Sequence, residues 1–244
     1  MLAYVSEVLT ISKHNHSRKP QDQPYLRIKP THDIKAQYAE DADVSPPLRK
    51  EDKKGVQEFM GKFLYYSRAV DVTMLAALGS IAEQQANPTE QIMQKVKQFL
   101  DYAATHIDEI IAYHASDMVL AGHSDASYLS KTKSRIRACG HFFMSNNTYF
   151  LLSNVAVLTV AKIIKAVVSS ASEAELGALS INCKEAIPTR QAMEEMGHKQ
   201  PPTPMQIDNT TAHGVVTNNK SSKRLKSMDM RLHWLRYRAT QGQC

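Results

Sequence analysis

"VLAGHSDASYLS", Val119 to Ser130, opens with three apolar residues that read as a strand entering a core. It then sets a carboxylate, Asp125, where burial should be deepest. Period-two alternation puts Asp125 on the strand face that carries Val119, Ala121 and His123. A turn aspartate and a metal ligand are the two explanations open at this point. His123 fits a hydrogen-bonded core histidine better than a ligand, because hard divalent cations prefer oxygen.

Outward from that stretch, "ACGHFFMS" and "VAVLTVAKIIKAVV" follow as two further strands, and three strands in succession favour an antiparallel meander. The next stretch, "SSASEAELGALSINCKEAIPTRQAMEEMG", has helical period. Ser170 and Glu173 form a capping box at its start, and Gly197 supplies a stop. Pro188 is expected to kink or divide this helix, since it removes an amide and crowds the preceding turn. "PMQIDN" reads as a short strand and "TTAHGVVTN" as a helix. "KSMDMRLHWLRYRATQ" reads as a final amphipathic helix carrying Met228, Leu232 and Leu235. The order of three strands, helix, strand, helix, helix is α/β with a mixed sheet.

Before residue 115 the pattern is helical. "VQEFMGKFLYYSRAV" sets Val56, Phe59, Met60, Phe63 and Leu64 on one face. "DVTMLAALGSIAEQQA" repeats the spacing with Met74, Leu75, Leu78 and Ile81, and "QIMQKVKQFLDYAATH" does so with Ile92, Val96, Phe99 and Leu100. Residues 1–54 hold one helix, "LAYVSEVLTI", and then Pro- and charge-rich stretches of linker composition. The expected organisation is therefore 1–54 as helix and loosely packed linker, 55–114 as a helical segment, and 115–244 as the sheet domain.

Three acids stand at element ends: Asp125 late in the first strand, Glu175 in the first helical turn, and Asp208 closing the fourth strand. If the fourth strand pairs in parallel with the first, these carboxylates converge. Like charges a few ångströms apart in a partly desolvated cleft raise one another's pKa unless a divalent cation neutralises them. An all-oxygen donor set suits magnesium or manganese. Each acid also has a plainer explanation: a turn residue for Asp125, helix-dipole complementarity for Glu175, and a helix cap for Asp208.

The balance is basic, with 30 Lys+Arg against 24 Asp+Glu, which favours polyanionic partners. Lys131, Lys133, Arg135 and Arg137 follow the Asp125 stretch, while Lys220, Lys223, Arg224 and Lys226 lie in "KSSKRLK". Both clusters are candidates for nucleic-acid contacts. Cys139, Cys183 and Cys244 share no metal-ligand spacing and read as free thiols in a reducing compartment. No cationic start followed by an apolar core opens the chain, and Lys162 and Lys165 interrupt its most apolar long run. A non-secreted protein without a membrane segment is expected.

"HSDASYLS", "SSASEAELGAL", "MQIDNTTAHGVV" and "MDMRLHWLR", in that order, resemble the ribonuclease H domain of copia-type LTR retrotransposon polyproteins. "GKFLYYSRAVDVTMLAALGSIA" together with "NPTE" and "VKQFLDYAATH" is similar to the segment between reverse transcriptase and ribonuclease H in the same polyproteins. The resemblance implies a ribonuclease H-like mixed sheet with helices on both sides, and two-metal hydrolysis of the RNA strand of RNA–DNA hybrids. It implies Asp125, Glu175 and Asp208 as the catalytic and metal-binding acids, with Mg2+ or Mn2+ as cofactor and Glu173 left to the capping box. Implied partners are nucleic acid and other parts of a Pol polyprotein, in a cytoplasmic retroelement particle or the nucleus.

Two departures from the family pattern stand out. The family's fourth acid follows a fifth strand, and the sequence ends at "TQGQC" before either, with Asp229 matching a position on the preceding helix instead. No "DD" pair of a polymerase palm occurs. A C-terminally truncated Pol fragment with weakened or absent turnover is the resulting expectation, with a non-catalytic nucleic-acid-binding remnant or a non-functional retroelement fragment as the alternatives.

Overall fold

The computed structural model describes residues 3–14, 20–25, 43–131, 135–147, 153–217 and 229–244. The chain divides into two compact units, which part between Ile111 and Ala112.

In the first unit the helical spacing condenses into α1 (Tyr4–Ile11), α2 (Lys50–Ala69), a 3-10 turn (Val72–Met74), α3 (Leu75–Ala82) and α4 (Glu90–Thr105). Phe59, Phe63 and Phe99 form the centre, with ring centroids 4.9 to 5.2 Å apart in tilted and edge-on pairs that suit aromatic quadrupoles. The buried stripe of α2 differs from the sequence reading at its end: Tyr66 and Ser67 are buried, whereas Leu64 is only half-buried. Two side chains fix the helix starts. Asp71 accepts the Thr73 amide and Thr89 accepts the Ile92 amide.

Residues 3–14 and 43–49 are more ordered than their composition suggested. Helix α1 buries Val5, Val8 and Leu9 in the same core, and the Tyr4 hydroxyl donates to the Lys62 carbonyl at 3.1 Å. Three apolar residues at i, i+3 and i+4 are enough to dock a two-turn helix. The "SPPL" stretch is tied by backbone bonds from Leu48 to Pro88 and from Glu90 to Pro46.

The second unit consists of β1 (Val119–Lys131), β2 (Arg135–Ser145), β3 (Ala156–Ile163), α5 (Ala171–Glu195), β4 (Met205–Gln206), α6 (Thr210–Thr217) and α7 (Asp229–Thr240). The sheet order is β3-β2-β1-β4. Each of the first three strands is antiparallel to its neighbour, and β4 runs parallel to β1. This is the mixed α/β architecture that the strand and helix order implied. Burial is deepest at Leu120 and Ala121, while Asp125 is exposed, so the carboxylate does not sit at the deepest point of the strand. Met228, expected on the stripe of the last helix, lies outside the described residues, while Leu232 and Leu235 are buried as expected. Among the described residues no helix is long and apolar enough to cross a membrane.

Helix α5 packs on the even-numbered face of β1 through small residues. Ala174 and Ala178 meet Ala126, Ile136 and Ala138, and further along Ala186 meets Leu120, Phe142 and Val160. Its start is capped by Ser170, which accepts the Glu173 amide at 3.2 Å. The Glu173 carboxylate accepts from the amide and hydroxyl of Ser169, one residue earlier than a standard capping box would place it. The helix runs through Pro188 without division. Beside the missing amide, the Thr189 hydroxyl donates to the Glu185 carbonyl at 2.8 Å. It stops where expected, at Gly197, whose φ of 92° is a left-handed conformation that glycine adopts without strain.

The closest approach is at Gly140, where a Cβ would lie 2.3 Å from the side-chain oxygen of Asn182. Asn182 is fully buried and donates to the Ser124 hydroxyl and the Cys139 carbonyl, both at 2.8 Å, so it cannot give way cheaply. Gly140→Ala should therefore destabilise the second unit by about 1–3 kcal/mol, read as a lower denaturant midpoint with an unchanged m-value.

Candidate metal centre

Strand β4 pairs with β1 at only two positions, Gly122↔Met205 and His123↔Gln206. Beyond them the β1 edge is open. The Gly122 amide still finds the Pro204 carbonyl at 3.0 Å, but the Ala126 amide, on the same edge, has no strand partner. It donates instead to a carboxylate oxygen of Glu175 at 3.2 Å. A backbone group thus fixes the orientation of an acid mounted early in α5.

Asp125 precedes that amide in β1, opposite Cys139 of β2. Asp208 follows β4 by two residues. The cap of α6 is Asn209, whose side chain accepts the Ala212 amide at 2.9 Å, so the capping explanation for Asp208 does not hold. One carboxylate oxygen from each of Asp125, Glu175 and Asp208 lies within 4.8 Å of the others. Asp125 and Asp208 are exposed and Glu175 is buried, which makes a cleft with one dry wall.

The electrostatics follow from this placement. Burial pushes the Glu175 carboxyl up to about 7, the Ala126 amide pulls it down, and the charges of Asp125 and Asp208 add to the rise. Its second oxygen, Oε2, is buried without a donor. A buried acceptor without a donor, on a carboxylate grouped with two others, is short of positive charge. The donor set is all oxygen, so the residues present fit a hard divalent cation such as magnesium.

The remaining expected residues fare differently. His123 is half-buried, with Phe143 and His141 beside it at centroid distances of 5.0 and 6.1 Å, and its Nε2 is buried without a hydrogen-bond partner. Burial, followed by the nearby His141, holds its pKa below the ordinary value, in keeping with a core histidine. Lys131 and Arg135 pair across the β1–β2 hairpin after a register shift. Arg137 departs from the expectation of an exposed cation: it lies within β2, opposite Ser127 and Ile163, and is 7% exposed. A guanidinium so buried is not presented to a phosphate backbone. Lys133, Lys220, Lys223, Arg224 and Lys226 lie outside the described residues. The Ala126 amide and the Asn209 cap went unread in the sequence. The cap had a signal, an Asn immediately before Thr-Thr-Ala, but no pattern announces a backbone amide left over by a short strand.

A mixed α/β unit with a three-carboxylate centre is thus in place. The chain as a whole is similar in sequence to the "Retrovirus-related Pol polyprotein from transposon TNT 1-94" of Nicotiana tabacum, at 25% identity over 177 residues. The match covers 72% of this chain and 13% of the length of that relative, and it supports a retroelement Pol origin. No family model matches the chain. No solved structure matches it either.

The Glu175 shift has a signed consequence for stability. Its folded value near 7 lies above its ordinary 4.5, so its contribution is fully present below pH 4.5 and is lost as pH rises through about 7. In cation-free buffer, wild type should lose on the order of 3 kcal/mol relative to Glu175→Gln across that window. Paired denaturant titrations from pH 4 to pH 8 measure the difference, and a flat difference would contradict the proposed surroundings of the carboxyl.

Proposed function

We propose that the Ala112–Cys244 unit is a ribonuclease H-like domain of a retroelement Pol polyprotein that hydrolyses the RNA strand of RNA–DNA hybrids with magnesium or manganese. The observation that carries this reading is the convergence of Asp125, Glu175 and Asp208 within 4.8 Å, on β1, on α5 and just after a parallel β4. The first unit is assigned to the connection that precedes such a domain. Other parts of the polyprotein are then its natural neighbours.

In this reading Asp125 is central, because it lies on the strand that carries both β4 and the Ala126 amide. Glu175 enters from the buried side, held by that amide, and gives up its proton when a cation is bound. Asp208 closes the open side, free of capping duty. A bound divalent cation supplies the acidity that activates water for attack on a phosphodiester and offsets charge on the leaving oxygen. Lys131 and Arg135 in the adjoining hairpin, with Lys133, Lys220, Lys223, Arg224 and Lys226, are assigned to phosphate contacts. 2′-hydroxyls mark the RNA strand.

A second reading, salt-sensitive hybrid binding without useful turnover, is favoured by the count of acids: three, with no fourth in the group among the described residues. A labelled RNA–DNA hybrid incubated with purified chain and Mg2+ or Mn2+ separates the two. Cleavage should depend on the cation, and Asp125→Asn should lower it by roughly 10²-fold or more. Binding that weakens with salt but no cleavage would favour the second reading.

Cation binding has its own readout, independent of turnover. Mg2+ should raise the thermal midpoint of wild type and leave those of Asp125→Asn and Asp208→Asn nearly unmoved, since a ligand stabilises only the state that binds it. Equal shifts in all three proteins would remove the metal assignment.

A further inference from the structure

Away from the carboxylates, the second half of α5 forms a separate site with the residues that follow α7. Cys183 is 2% exposed, in an apolar cluster with Leu176, Leu179, Leu232 and Leu235, and Cys244 packs against that cluster. The two thiols are close enough for each to alter the proton affinity of the other. Arg190 holds the segment in place by donating to the carbonyls of Gly242 at 2.6 Å and Gln243 at 3.4 Å. Arg238 donates to the Gln243 side chain at 3.1 Å, and the Thr203 amide donates to the Gln243 carbonyl at 3.4 Å.

We propose that Cys183 and Cys244 form a reversible redox-modification site that takes small-molecule disulfides and closes into an intrachain disulfide between α5 and the segment after α7. Chemistry assigns the order of events. Cys244 is the partly exposed thiol, while Cys183 is closed off from solvent. The adjacent Cys183 thiol lowers the Cys244 pKa despite burial, and the Arg238 and Arg190 charges lower it further. The Cys183 thiol is pushed up by Cys244 and by burial, so it holds its proton until its partner has reacted.

In the first step the Cys244 thiolate attacks a disulfide RSSR, forming a Cys244–SR mixed disulfide and releasing RS⁻. In the second, the Cys183 sulfur attacks the Cys244 sulfur and its proton passes to the leaving group, forming the Cys183–Cys244 bond and releasing RSH. One disulfide is reduced as one is made. Reduction by excess RSH reverses both steps.

The experiment uses the full chain. Protein incubated with oxidised glutathione is alkylated, digested without reductant and analysed by mass. The expected result is a crosslinked peptide pair containing Cys183 and Cys244, released by dithiothreitol, with Cys139 alkylated. Oxidation should raise the thermal midpoint by roughly 5–10 °C, because the bond closes a long loop. Cys183→Ala should stop the reaction at the glutathione adduct on Cys244, and Cys244→Ser should take no adduct at Cys183. Should Cys183→Ala fail to fold, the wild-type peptide map alone decides the matter. A glutathione adduct on wild-type Cys244 that never resolves, or crosslinks through Cys139, would overturn the proposal.

Discussion

The open edge of β1 is the constraint on which the second unit depends. A strand buried in a domain cannot leave amides unpaired on either side, and β4 supplies only two residues of cover. The edge is completed piecemeal. The Leu120 amide donates to the Gln200 side chain at 2.9 Å, the Gly122 amide to the Pro204 carbonyl, and the Ala126 amide to Glu175. A longer β4 would have paired with Ala126 and displaced the acid. The shortness of that strand is therefore what lets a helix side chain reach the sheet edge, and the position of Glu175 follows from unmet backbone hydrogen bonding.

That arrangement depends in turn on how closely α5 lies against the sheet. Ala174, Gly177 and Ala178 near its start are all buried, and glycine at position 140 accepts Asn182 where a Cβ would clash. Larger residues on either surface would lift the helix and lengthen the 3.2 Å contact between Glu175 and Ala126. The buried Asn182, bonded to Ser124 and to the Cys139 carbonyl, fixes the register of α5 over β1 and β2. Packing and the carboxylate centre are thus one problem: the first sets the distance, and the second uses it.

Much of this was legible in the sequence because the signals are local. Strand alternation, the Ser170 cap, the stop at Gly197 and the sequence of elements all act over a few residues. The meeting of Asp125, Glu175 and Asp208 was legible only on the assumption that the fourth strand pairs in parallel with the first, which no local pattern encodes. What escaped has a physical cause in each case. Helix α1 was grouped with loosely packed linker because its three buried residues contribute only within an assembled core. The helix crosses Pro188 because packing outweighs one lost hydrogen bond. Arg137 read as a surface cation because charge in a sequence carries no information about which strand face it occupies.

The two ends of α5 bear opposite electrostatic loads. At its start, three carboxylates meet where burial and mutual repulsion keep Glu175 protonated well above the usual range, so the metal-free fold stores a cost that a cation would relieve. At its far end, Arg190 contacts the Glu194 carboxylate at 3.2 Å and donates to three carbonyls, those of Gly242, Gln243 and Gln200. Gln200 in turn bonds the backbone of Met118 and Leu120 at the start of β1. The satisfied end thus anchors β1, which carries Asp125, and the approach to β4, which Asp208 follows by two residues. A cluster of like charges stays together only if its supports resist its repulsion. Here the resistance comes from hydrogen bonds placed at the opposite end of the same helix, where they cost the carboxylate cleft no space.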